Sequence, residues 1–187
     1  MKILRILLLI VLLAAFIVFP LVYSNPEITI IAVFTLFFAA AGTGWNIFSG
    51  YTGYIALGHA VYFGVGAYAI ALMCQAWNIP GGYAPFFLLP VAGLIAAAFA
   101  VPFGWIALRA RRHTFVVITI ATFFIMQLMA YNLRSITQGS AGLSLPIPFD
   151  WSADFFNLAF YYVALAILLL AFATSWWVRN SKYGLGL

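Results

Sequence analysis

Long apolar runs, interrupted by short clusters of polar and turn-forming residues, set the grain of this chain. Six of them, at about 6–23, 28–48, 54–77, 84–108, 114–133 and 158–178, are close to the length an α-helix needs to cross a bilayer, which is about 20 residues for a hydrocarbon core of about 30 Å. A membrane β-barrel would alternate apolar and polar residues along each strand, and these runs do not. The pattern predicts an all-α polytopic membrane protein of about six transmembrane helices, in a single domain covering 1–187.

The breaks carry their own chemistry. Asn25, Pro26 and Glu27 end the first run, Ser49 to Gly53 form a short connection between the second and third, and Asn78 to Gly82 make a turn. Pro90 and Pro102 each lack a backbone donor and predict kinks in the fourth span. The longest polar stretch, 134–157, holds Thr137, Gln138, Gly139, Ser140 and Gly142. A loop of that length is more often functional or docking than idle.

Within the third run, Ala56, Ala60, Gly64, Ala67 and Ala71 recur at spacings of four, four, three and four, which places them on one side of a helix. The fourth run repeats the device with Gly93, Ala97, Ala100 and Gly104. Small residues let membrane helices approach closely, since no hydrophobic effect draws helices together in lipid. The two stripes are expected to face each other. Between Gly42 and Tyr68 (GTGWNIFSGYTGYIALGHAVYFGVGAY) the chain concentrates seven of its 15 glycines. Each costs about 1 kcal/mol against alanine in a helix interior, so the stretch predicts close backbone approach or bending. It either lines a solute path or makes a tightly packed hairpin.

Composition supports the membrane reading: 67% of residues are hydrophobic and 6% charged, against about a quarter charged in soluble domains. The net charge of +5 is not a nucleic-acid face, because the basic residues stand at the ends of apolar runs. Cytoplasmic loops are enriched in Lys and Arg. With the N-terminus cytoplasmic, six spans place Lys2, Arg5, Arg109, Arg111, Arg112, Arg179 and Lys182 inside and only Arg134 outside, with Glu27, Asp150 and Asp154. Lys2 and Arg5 before the first run also resemble a signal peptide; the length of the run favours an uncleaved anchor.

Catalysis needs titratable groups gathered at a site, and two histidines with three scattered acids make no such cluster. No metal site, no enzyme activity and no phosphate-binding Gly-Lys loop are expected, and the lone Cys74 rules out an internal disulfide. His59 stands alone as a titratable residue well inside a run, one to two turns into the third span. It is either a neutral residue bonded across helices or one that lines the path. Thr119 and Thr122 share a side of the fifth span and either bond their own backbone or meet solute.

Three stretches resemble the permease family of branched-chain amino acid ABC importers, M-type subunit. They are Ser49–Leu72 (SGYTGYIALGHAVYFGVGAYAIAL), the arginine-rich boundary and threonine-bearing helix of Leu108–Thr122, and Ser135–Leu143 (SITQGSAGL). The resemblance implies a multi-pass permease of the bacterial inner membrane that holds no cofactor itself. Its implied partners are an H-type permease subunit, two ATP-binding subunits that hydrolyse ATP, and a periplasmic solute-binding protein. Branched-chain amino acids would be the cargo; urea, short amides or aromatic acids are alternatives within the family, and a non-transporting assembly subunit is the alternative outside it. Under this reading Asn46, Thr52, His59, Thr119 and Thr122 border the translocation path, while Ala56, Ala60, Gly64, Ala67, Gly93, Ala97 and Gly104 serve close helix packing. Arg112, His113, Thr114 and Phe115 stand where the family favours Gly-Asp before an aromatic, so no role of that acid carries over. Ser181 to Gly184 resemble the start of a cytoplasmic coupling loop, and the chain is expected to be the N-terminal part of a longer permease.

Overall fold

A computed structural model describes residues 2–23, 25–146 and 151–181. Among the described residues the only regular structure is helical: α1 (Lys2–Val22), α2 (Pro26–Thr52), α3 (His59–Ala76), α4 (Ala84–Phe87), α5 (Leu89–Ala107), α6 (Arg112–Asn132), α7 (Arg134–Thr137) and α8 (Ala153–Asn180), with a 3-10 turn at Gly139–Ala141. Five of these helices are long and apolar enough to cross a membrane, and Leu7–Val22 within α1 adds a shorter apolar segment. This agrees with about six membrane helices. Their apolar side chains are largely uncovered, Phe38 and Leu94 each 70% exposed, as expected where lipid rather than water is the solvent.

The chain divides into two compact units, one of Met1–Gly44 with Trp151–Leu187 and the other of Trp45–Asp150. In the first, Leu36 and Ala40 of α2 pack on Tyr161, Ala164, Leu165 and Leu168 of α8, with Phe19 of α1 against the cluster. Pro20 lies inside α1 and can give no N–H to the Phe16 carbonyl one turn earlier. The Tyr161 hydroxyl donates to that carbonyl instead, at 2.8 Å, and Tyr161 is 1% exposed. A carbonyl left bare at membrane depth would be costly, so a tyrosine on α8 makes the proline of α1 tolerable. The Ser152 hydroxyl caps α8 by accepting from the Phe155 amide at 3.3 Å. That cap starts the helix at Ala153, five residues before the run begins in the sequence pattern.

In the second unit α3, α5 and α6 pack together. The sequence-based boundaries need correcting in three places. First, Ser49 to Thr52 are the last turn of α2, and only Gly53, at φ 68°, breaks it; glycine enters that left-handed region without a Cβ penalty. Second, Tyr54 to Gly58 are not helical, so α3 starts at His59 and the histidine is its first residue, not one to two turns in. Third, the fourth span is split. Pro90 cannot donate to Phe86, and the chain breaks at Leu88 between α4 and α5, leaving Pro90 as the second residue of α5; Pro102 alone lies inside that helix.

The polar stretch after α6 folds back on the helix end. The one O–H of buried Thr137 is shared between the carbonyls of Ala130 (2.5 Å) and Leu133 (2.8 Å), and its oxygen accepts from the Gly139 amide (3.3 Å). Gln138 and Gly139 take φ of 59° and 63°. A Cβ at Gly139 would also lie 3.0 Å from the Tyr131 carbonyl oxygen, so both backbone and space call for glycine there. Asp150 and the Lys182–Gly184 stretch singled out in the sequence lie outside the described residues.

Candidate functional site

The non-helical segment Tyr54–Gly58 is the unusual feature of the second unit. Exposed backbone polar groups within a membrane domain survive only where the protein supplies partners, and here both groups of Ala56 and the Leu57 amide have one. The Ala56 amide donates to the Ser49 hydroxyl at 3.3 Å. The Ala56 carbonyl accepts from the Trp45 indole N–H at 2.8 Å and contacts His59 Nδ1 at 3.2 Å, filling both of its lone pairs. A carbonyl can only accept, so Nδ1 carries the proton and, in the neutral ring, Nε2 remains as acceptor.

Leu57 and Gly58 dock on α6. The Leu57 amide donates to the Thr119 hydroxyl at 3.3 Å, and that hydroxyl donates to the Val116 carbonyl at 2.8 Å. A Cβ at Gly58 would sit 2.6 Å from the Thr119 carbonyl oxygen. Glycine is required there by contact, since the local φ of −92° suits any residue. Behind the segment, Ala56, Ala107 of α5 and Phe115 of α6 form a buried cluster with Phe48, Tyr54 and Ile118 around it. Phe115 lies against Phe48 and Tyr54, with ring centroids 5.9 and 5.1 Å away.

This packing leaves a cavity of about 160 Å³, comparable to the ~150 Å³ engineered space that admits benzene in a soluble core. Its polar lining comes from His59, Tyr62, Thr119 and Thr122, and Gly58 and Ala56 contribute wall from the non-helical segment. The remainder is apolar: Phe48, Phe103, Phe115, Leu108 and the small residues Ala100, Gly104 and Ala107. Thr122 donates to the Ile118 carbonyl at 2.8 Å. With both threonines donating to backbone, their hydroxyl oxygens offer the cavity acceptors, and His59 adds one through Nε2 whenever its ring is neutral. Such a space suits a small apolar body carrying a donor group.

Of the five path residues expected from the sequence, the structure brings His59, Thr119 and Thr122 to this one cavity. Asn46 and Thr52 lie elsewhere. Thr52 closes the end of α2, donating to the Phe48 carbonyl at 2.8 Å and accepting from the Tyr54 amide at 3.2 Å; the Asn46 side chain is exposed and lies against Gly50 one turn on. The small-residue stripe is distributed differently from the expected one. Ala56 precedes α3, Ala60, Ala67, Gly93 and Ala97 are exposed, and a Cβ at Gly64, Gly93 or Gly104 would meet nothing within 4 Å. The α3 to α5 contact runs through Gly66, beside the Ala92 carbonyl and Ala96, and Ala69 and Ala71 of α3 are buried. Trp45, Ser49, Phe48, Tyr62 and Phe115 escaped the sequence reading. The signal available was an indole N–H and a hydroxyl, each needing a partner, beside a glycine-rich break.

Comparison with known proteins gives the lineage. The family described as branched-chain amino acid transport system / permease component matches residues 27–187. The chain is similar to the high-affinity branched-chain amino acid transport system permease protein LivM of Escherichia coli (strain K12), 30% identical over 152 residues, which is 81% of this chain and 35% of the relative. The corresponding protein of Salmonella typhimurium is 29% identical over 137 residues, 73% of this chain and 31% of the relative. The chain thus spans about a third of the length of the curated relatives it matches. No solved structure matches it significantly. With its membrane helices and a family match that covers all but its first residues, this multi-pass membrane chain belongs to the permease family of branched-chain amino acid transport systems.

Proposed function

We propose that the chain is part of a permease subunit of an ATP-driven importer of branched-chain or related amino acids, in a bacterial inner membrane with its N-terminus cytoplasmic. An H-type permease subunit, two ATP-binding subunits and a periplasmic solute-binding protein complete the assembly, and the ATP-binding subunits hydrolyse ATP. The observation that carries this reading is the cavity at His59, Thr119 and Thr122, walled on one side by backbone that is not helix. Non-helical backbone in a membrane domain is tolerated where it is covered by protein or lines a water-filled path, and a mostly apolar space with a few acceptors fits an aliphatic side chain and an ammonium group.

In this orientation the connection at 53–58 and the turn at 108–111 both stand at the cytoplasmic end, so the cavity would be the inner part of the path. His59 and the two threonines would touch solute there, with Asn46 and Thr52 bordering its approach. The test is ATP-dependent uptake of labelled leucine into liposomes holding the assembled complex. Uptake should vanish without this chain and fall with His59→Leu. Uptake that survives removal of the chain sinks the proposal, and a His59→Leu complex working at the normal rate removes His59 from the path. Competition by isoleucine and valine, but not by urea or aromatic acids, would assign the cargo class.

A further inference from the structure

We propose that Trp105, Arg109 and Arg111, at the C-terminal end of α5, form a binding site for the headgroup of an anionic phospholipid. The site depends on the chain crossing a membrane and is independent of what it transports. The Arg109 guanidinium lies over the Trp105 ring, 3.7 Å from its centroid, and that ring is 62% exposed. Stacking occupies a guanidinium face, while its N–H donors point outward in the plane and stay free to grip a phosphate with two parallel bonds. Arg111 is also exposed, two residues on.

The arginines of this unit outnumber its acids: residues 45–150 contain four arginines, 109, 111, 112 and 134, and a single carboxylate, Asp150, which leaves most of the positive charge for a partner outside the unit. Below the arginines the same side of α5 continues as an apolar track: Leu94 (70% exposed), Val101 (69%) and Leu108 (50%) align with Trp105 at helical spacing. From Leu94 to Trp105 the rise is about 16 Å, roughly one leaflet of a hydrocarbon core about 30 Å thick. A tryptophan at the interface, a cation fork above it and an acyl-length apolar strip beneath match a lipid, whereas free phosphate would use only the fork. The cationic amine of a zwitterionic headgroup is repelled by the same arginines, which selects anionic lipid.

The experiment reconstitutes the chain, alone and in its complex, into phosphatidylcholine nanodiscs with phosphatidylglycerol as the minor, anionic probe lipid, and measures lipid retained after mild detergent extraction by mass spectrometry. Phosphatidylglycerol should be retained above its bulk fraction in both preparations. Arg109→Gln with Arg111→Gln should weaken that retention about tenfold, equivalent to about 1.4 kcal/mol, and Arg109→Lys should lose part of it by keeping charge without the fork. Arg134→Gln, on the far side of α6, should change nothing. Retention at the bulk ratio overturns the proposal, as does equal loss with Arg134→Gln or displacement by inorganic phosphate. Retention that disappears in the complex means a protein partner covers these arginines, and also overturns it. If the double variant loses its helical circular dichroism, Arg109→Lys decides alone, and unchanged retention there counts against the site.

Discussion

Replacing Gly58 with alanine adds one methyl group at the point where the non-helical segment meets α6. That Cβ would lie 2.6 Å from the Thr119 carbonyl oxygen, a main-chain atom in the middle of a helix that no side-chain rotation can move. The segment must therefore retreat. Overpacking of this kind costs about 1–3 kcal/mol. Retreat also stretches the 3.3 Å bond from the Leu57 amide to the Thr119 hydroxyl, worth about 0.5–1.5 kcal/mol. Against this stands a gain of about 0.4–1 kcal/mol, because alanine restricts the unfolded chain and the φ of −92° accepts it. The net expectation is a loss of about 2 kcal/mol. Unfolding of the purified chain in mixed micelles, followed by circular dichroism, measures it. Gly64→Ala is the control: inside α3 with nothing within 4 Å, it should stabilise by up to ~1 kcal/mol through helix propensity. Equal effects of the two substitutions would refute the argument that Gly58 is held by contact.

Three further outcomes are expected. Tyr161→Phe should cost about 1–3 kcal/mol, since it strips the Phe16 carbonyl of its donor; in a Pro20→Ala background, where α1 regains its own N–H, the same change should cost clearly less, and an unchanged cost in that double-mutant cycle would disprove the link. Thr119→Val should destabilise by about 1–3 kcal/mol by orphaning the Leu57 amide, with Thr119→Ser nearly neutral; the same unfolding assay reads both, and equal losses would exclude the hydroxyl. Gly142→Ala should cost about 1–3 kcal/mol although nothing lies within 4 Å of its Cβ position, because φ 69° with ψ 175° is a region reserved for glycine; a neutral result would argue against this backbone at 142.

Much of this molecule could be read from residue types alone. Runs of about 20 apolar residues with almost no charge leave a chain no soluble core to form, and a spanning segment must satisfy its own backbone, so helix number and class follow from the apolar pattern. The glycine-rich break marked the neighbourhood of the cavity, and His59, Thr119 and Thr122 stood out as polar groups in apolar surroundings. Hydropathy could not show that the third run begins with five non-helical residues. Tyr54 to Gly58 are apolar enough to continue a helix, and what diverts them is a set of donors and acceptors on Trp45, Ser49 and Thr119 that meet them only when α2 and α6 are packed. The same holds for Pro20, harmless only because Tyr161 comes from the other end of the chain. Spacing likewise set out a stripe of small residues but not which helix faces it, because close approach is decided by both partners at once. Periodicity along one chain segment is a local property; which carbonyl meets which hydroxyl is not, and the cavity is made of the second kind of fact.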